Sequence, residues 1–462
     1  MKKVVVILML LLLILHGFSF AATADASQTA GCSTLQAKQS LAGSEKYTGT
    51  AKAAILYELN TQTLVLAHNP DASINPTGLV KILTALIVLE EGNLDDVVTV
   101  KRSTLNSVGP GAVSAGLKAG EEISLRNLLY CVMVSSANDA AAVMAEYVAG
   151  SQTAFVEKMN RRAATLGCAN TVFTNVHGLM DDRQRSTARD LAIITEEALK
   201  NQQFRELFGL TQYTMPATNM SEPRNLKTTN YMMDPDRNYF DERVTGGKPA
   251  AATTTDRSLI CTAQTENGNY LCVIISAKAR TSGSSVTRYT NFDEAKKLLS
   301  FGFDDFAVQQ VLGPEQPYGL FPVADGENHA VVSADQPVYA LLPAEFDPGQ
   351  LRFEEVRNEQ ALCAPLRAGA IVGSLKIYYG SVNIGQAALI ARHDVASVGS
   401  TIQYVTESEN TSSGIGVFLK WTVIFIGILL IIAAAGLVTL RYINVYRHKQ
   451  AKAAKAKERR GI

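Results

Sequence analysis

The chain has 462 residues, 47% of them hydrophobic and 19% charged, with a formal net charge of zero. That suits a globular protein of two or three units and excludes an intrinsically disordered one. The charge is uneven: residues 441–462 carry eight Lys or Arg against Glu458 alone, whereas residues 25–414 carry 32 basic and 42 acidic side chains, a balance that speaks against nucleic acid as a partner.

Residues 1–24 read as a secretory signal: Lys2 and Lys3, an apolar run from Val4 to Leu15, then small residues with Ala22-Thr23-Ala24 as a cleavage site. A permanent N-terminal anchor is the rival reading. "TAGC", ending at Cys32, lies too far beyond the apolar run to make a convincing lipid-attachment box. Residues 25–47 are polar and read as a flexible leader.

From 48 to 302 strand and helix patterns alternate. "AAILYELNTQTLVLAHN" predicts a hairpin around Asn60-Thr61-Gln62. Apolar periodicity predicts helices over 79–91, 125–134, 138–149, 153–166 and 187–200, strands over 242–248, 257–264 and 270–276, and a last helix over 291–300. Strands at both ends of the segment with helices between them imply an α+β domain whose sheet joins its two ends. Residues 304–396 change texture to short alternating runs such as "HAVVSA", "VYALLP" and "IVGSLKIYYG", the pattern of a small all-β module. Residues 397–416 form a polar linker. A span over 417–440 follows, in which Trp421 to Leu440 carries no charge; it is long enough to cross one hydrocarbon core of about 30 Å. The basic segment 441–462 after it places that tail in the cytoplasm and the body outside.

None of the six cysteines forms a Cys-x-x-Cys pair, so neither a metal knuckle nor a dithiol redox site is indicated. Cys261 and Cys272 flank a hairpin with its turn at Asn267-Gly268. That turn sets Cys261 opposite Ile274, diagonal to Cys272, and predicts buried thiols rather than a disulfide.

Three stretches carry chemistry: Gly78-Leu79-Val80-Lys81, Ser136-Ala137-Asn138 and Lys248-Pro249-Ala250. A serine hydrolase without histidine needs a hydroxyl one helical turn before a lysine that takes its proton. It also needs a second hydroxyl and an amide nearby, and a cation on a strand for a substrate carboxylate. The order and the flanks, including "GLKAGEEISLRNLLYCVMVSSANDAAAVMAEYVAGS" and "FVEKMNRRAATLGCANTVFTNVHGL", resemble the low-molecular-weight penicillin-binding proteins, serine-type D-alanyl-D-alanine carboxypeptidases with Ser-x-x-Lys, Ser-x-Asn and Lys-Thr-Gly motifs. The resemblance covers roughly 350 residues. It implies a penicillin-binding fold, in which an antiparallel sheet is flanked by helices, followed by a small all-β domain and a C-terminal membrane anchor. It also implies a role in peptidoglycan biology without metal or cofactor. Lys81 matches the family's general base, Ser136 and Asn138 its proton relay and substrate-amide contact, and Lys248, Pro249 and Ala250 its carboxylate-binding strand.

Two departures cut against the activity. The nucleophile position is Gly78, and no lysine in the chain has a serine three residues before it. Lys-Thr-Gly has become Lys248-Pro249-Ala250, which removes a hydroxyl and a backbone N–H and adds a methyl group; Thr255-Asp256 stands where the family has Ala-Gly. The expectation is a lapsed carboxypeptidase that does not form an acyl-enzyme and binds a D-Ala-D-Ala-ended stem peptide or a cell-wall assembly protein. The alternatives are a working carboxypeptidase with a displaced hydroxyl or with water activated by Lys81, and a structural spacer. Bland readings stand beside the site: Ser136 and Asn138 could cap the helix that begins near Asp139, Lys81 could point to solvent, and His177 reads as structural.

Overall fold

The computed structural model describes residues 35, 38–109 and 111–399; the signal sequence, the 417–440 span and the basic tail lie outside them. No helix among the described residues is long and apolar enough to cross a membrane.

Alternating apolar residues build a five-stranded antiparallel sheet from β1 (Ala53–Glu58), β2 (Thr63–His68), β3 (Val244–Ala251), β4 (Asp256–Thr265) and β5 (Gly268–Lys278), in the order β2-β1-β5-β4-β3. The two ends of the segment do meet in one sheet, through pairing of β1 with β5. The side-chain period of two sends Ile55, Tyr57, Ile260, Val273 and Ile275 to one face and Leu56, Leu259, Cys261, Cys272 and Ile274 to the other. Both faces are covered, which is why these strands read as nearly continuous apolar runs.

The first face packs on a helical lobe of α1 (Lys81–Glu91), α2 (Leu125–Met133), α3 (Asn138–Ala149), α4 (Gln152–Thr165), α5 (Ala188–Lys200) and α6 (Gln202–Phe208). Side-chain caps start several of them: Ser124 accepts from Asn127 N, Ser151 from Ala154 N and Thr187 from Asp190 N. The second face takes α7 (Thr290–Asp305). Gly302 lets α7 close onto the sheet, since a Cβ there would stand 2.9 Å from Leu56 Cδ2 and 3.1 Å from the Tyr270 ring. Tyr270 Oη donates to Gly302 O at 2.8 Å in the same contact.

From α7 the chain enters β6 (Phe306–Leu312), β7 (Gly319–Phe321), β8 (Ala330–Ala334), β9 (Val338–Pro343), β10 (Leu351–Arg357), β11 (Ile371–Tyr379) and β12 (Val382–Ala391). β6 pairs with β9, and the rest form a second antiparallel sheet ordered β7-β8-β12-β11-β10 around its own apolar core.

Two expectations need correction. The described part of the 25–47 leader is packed down: Leu35 is fully buried, Leu41 N and Ala42 N donate to Leu64 O and Val65 O of the sheet, and Tyr47 Oη donates to Glu294 of α7. Polar composition misled here, because β2 is the edge of its sheet and its outward carbonyls accept donors from any chain laid alongside. The β4–β5 turn is centred on Glu266-Asn267, since Thr265 pairs with Gly268, and this register sets Cys261 directly opposite Cys272. Both remain free, buried thiols.

Candidate active site

The three stretches converge between the helical lobe and the edge strand β3. Thr77–Val80 form one 3-10 turn that leads into α1 after Pro76, whose φ of −71° suits a helix entrance. α1 is buried along Lys81–Val88. Lys81 is 2% exposed, so the solvent-facing reading fails. Its Nζ donates to Asn138 Oδ1 at 2.6 Å and to the backbone carbonyl of His177. Burial lowers its pKa to about 7, because a low-dielectric surround disfavours the charged amine.

Asn138 is the first residue of α3, and Ala137 caps that helix without a side-chain hydrogen bond. Asn138 and Ser136 are therefore not capping residues. Asn138 spends its amide oxygen on Lys81 and its backbone N–H on Val113 O at 2.7 Å. Ser136 sits at φ +63°, sparsely populated for a residue with a Cβ. It is half-buried, and its hydroxyl has no hydrogen-bond partner among the described residues.

Gly78 stands at the centre of the constellation. A Cβ added to it would lie 3.5 Å from Ala250 Cβ, 3.8 Å from Lys81 Nζ and 3.9 Å from Ser136 Oγ, all ordinary contacts. Its φ lies outside the left-handed region, so the backbone does not require glycine here. The neighbouring Thr77 does adopt a left-handed φ of +48°, and its buried Oγ1 has no hydrogen-bond partner. Neither Thr77 nor Ser136 bonds to the Lys81 amine.

The strand side differs from expectation. Lys248 is fully buried and opposite Ile260, on the helical-lobe face, with its Nζ donating to Val132 O and Met133 O at 3.0 Å each. Its pKa is pushed well down, by burial and then by the Lys81 charge. The ammonium pins β3 to the C-terminal end of α2, with two of its donors taken by backbone carbonyls. The donors in the β3–β4 ladder alternate outward from Ala252 N→Asp256 O. The Pro249–Leu259 pair is thereby a non-hydrogen-bonded one, and the N–H that Pro249 lacks is one that would face the open edge of the sheet. Proline is tolerated there for that reason.

The segment 175–179 forms a wall that the sequence did not announce. It acts through its backbone: His177 O holds Lys81, Val176 O accepts from Thr84 Oγ1 at 2.8 Å, and Gly178, at φ +82°, presses on the Thr77–Gly78 peptide. A Cβ on Gly178 would stand 2.0 Å from Thr77 O, so this glycine is required by contact as well as by conformation. The His177 ring is kept from protonating, with a pKa of about 4, by burial and then by Lys81. Among the described residues no cluster of three or more His, Cys, Asp or Glu is placed to hold a metal ion.

Comparison with known proteins places this geometry. The family described as D-alanyl-D-alanine carboxypeptidase matches residues 39–279. The D-alanyl-D-alanine carboxypeptidase DacC of Escherichia coli is 28% identical over 365 residues, 76% of this chain and 85% of that protein. DacF of Bacillus subtilis is 26% identical over 353 residues, 76% and 87% of the two chains. The structure of penicillin binding protein 5 from Haemophilus influenzae superposes with a TM-score of 0.60 at 25% identity, covering 76% of this chain and 98% of that one. With the matched segment spanning both the sheet and the helical lobe, and the three motif stretches meeting between them, this chain belongs to the D-alanyl-D-alanine carboxypeptidase family.

Proposed function

We propose that this chain is an extracytoplasmic, membrane-anchored member of the family. It works in cell-wall biology by binding a peptidoglycan stem peptide, and it does not pass through an acyl-enzyme. One observation carries the reading: a proton acceptor (Lys81), an amide (Asn138) and a free hydroxyl (Ser136) surround the position where a nucleophile would project, and that position is Gly78. Covalent acyl transfer needs a nucleophile next to its base. The hydroxyls adjacent in sequence or space, Thr77 and Ser136, make no bond to Lys81. The anchor is the 417–440 span followed by the basic 441–462 tail, and the signal is residues 1–24.

Fluorescent penicillin applied to the full chain in detergent tests the absence of acylation: no covalent band is expected. A band that disappears when one Ser or Thr is replaced would restore the working enzyme with a displaced nucleophile. Titration with a D-alanine-ended stem peptide tests the binding role. Without saturable binding, a protein partner in wall assembly would be the surviving form of the proposal.

A further inference from the structure

Lys81 and Lys248 are both buried, lie close enough for the Lys81 charge to depress Lys248, and form no ion pair among the described residues. Lys81 meets only neutral acceptors, the Asn138 amide oxygen and the His177 carbonyl. An ammonium has three hydrogens, so two are used and one remains. Buried cations without a counter-ion are costly, and an anion beside them relieves the cost. Gly78 is half-buried, so solvent reaches this position. Its missing side chain leaves room beside both Lys81 Nζ and the unpartnered Ser136 hydroxyl. With only a Cα at position 78, a ligand oxygen can approach the place a serine oxygen would take.

The family's reaction, as its name states, removes a terminal D-alanine. The carbonyl carbon under attack becomes the carboxylate of the shortened peptide. That carbon must lie beside the nucleophile position, so the product's new carboxylate falls where Gly78 leaves space, next to Lys81 and Ser136. The longer peptide, in contrast, carries its carboxylate one residue further on, along β3. There the motif threonine is replaced by Pro249, an outward N–H is lost, and two of the Lys248 donors are already taken by Val132 O and Met133 O. We propose that the cleft recognises the trimmed stem peptide, ending in a single D-alanine, through a carboxylate seated at Gly78 between Lys81 and Ser136. It is then a reader of the family's product rather than of its substrate. This rests on the peptide-binding reading above.

Because Lys81 sits at about 7 when the cleft is empty, seating an anion draws a proton onto it. Affinity then falls by about tenfold per pH unit above 7 until the amine of the complex titrates.

The test is calorimetry on the full chain in detergent with three synthetic stem peptides: one ending in a single D-alanine, the same peptide with a second D-alanine, and the C-terminal amide of the first. The single-D-alanine acid is expected to bind at least about tenfold more tightly than the other two. Its heat at pH 8 should differ between buffers of different ionisation enthalpy, reporting proton uptake. Lys81→Met should abolish that binding. Gly78→Ala, which only narrows the seat, should weaken it while circular dichroism stays unchanged, so the conclusion does not hang on the folding of the lysine variant. Equal or tighter binding of the two-D-alanine peptide, or of the amide, overturns this inference and leaves the peptide-binding reading standing. Absence of binding by all three overturns both.

Discussion

The two walls of the cleft have fared differently. On the helix side Lys81, Asn138 and the His177 carbonyl lock together inside the core, and each is the hydrogen-bond partner of another. On the strand side Pro249 and Ala250 lie half-buried at the open edge of the sheet, where a threonine and a glycine were expected. A change on the helix side orphans a buried polar group, which costs stability. A change at the outer edge of β3 costs the fold almost nothing and alters only what can bind. Gly78 belongs with the second kind: it is half-buried and takes part in none of the side-chain hydrogen bonds that hold Lys81. The helix side of the site is then held partly by what the fold cannot spare.

The largest expected effect comes from refilling the gap. Gly78→Ser adds a Cβ without a clash and brings a hydroxyl beside Lys81. Covalent labelling by penicillin should rise from undetectable by about 10³-fold or more. Persistent absence of label in a folded Gly78→Ser chain would mean that the helix side is not the intact half of the comparison. Asn138→Ala should cost about 1–3 kcal/mol by leaving the buried Lys81 amine with the His177 carbonyl as its one acceptor, measured as a lower urea midpoint with an unchanged slope.

The pH dependence of stability probes the same wall. The Lys81 amine titrates near 7 in the fold and near 10.4 in the unfolded chain. Between those values the unfolded chain binds more protons, so stability rises with pH across the window. The destabilising contribution of Lys81 is fully present below about pH 7 and is relieved toward the unfolded value. Urea midpoints at pH 7 and pH 9 should show the rise in wild type and a smaller one in Lys81→Met; equal slopes would place the amine in a wetter setting. The smallest effect on stability is expected from Pro249→Thr, within about 0.5 kcal/mol of wild type. In the Gly78→Ser background it should still speed penicillin labelling several-fold, and a large loss of stability instead would contradict the edge position of β3.

Much of the architecture was legible in order and period. The long helices at 81–91, 138–149, 152–165 and 188–200 and the core strands lie where apolar periodicity put them. Local chemistry failed where the decisive partner was distant. The short pairs 97–99 with 122–124 and 212–215 with 224–227 are too brief to carry a period. The leader looked free because nothing in its composition shows that the β2 edge is open beside it. The β4–β5 turn lies one residue earlier than expected, and that moves every cross-strand partner by two residues, from Ile274 to Cys272 for Cys261.

Sequence alone determined that no serine stands three residues before a lysine, that the third motif is Lys-Pro-Ala, and that both sit in a carboxypeptidase framework. These are matters of residue identity, which need no coordinates. Only the tertiary structure decided that Lys81 is buried and held by a backbone carbonyl from residue 177, that Lys248 turns inward onto α2, and that Gly78 stands beside Lys81, Ser136 and Ala250. Burial, side-chain direction and the electrostatics that follow depend on segments a hundred residues apart meeting at one point, and no local pattern records that meeting.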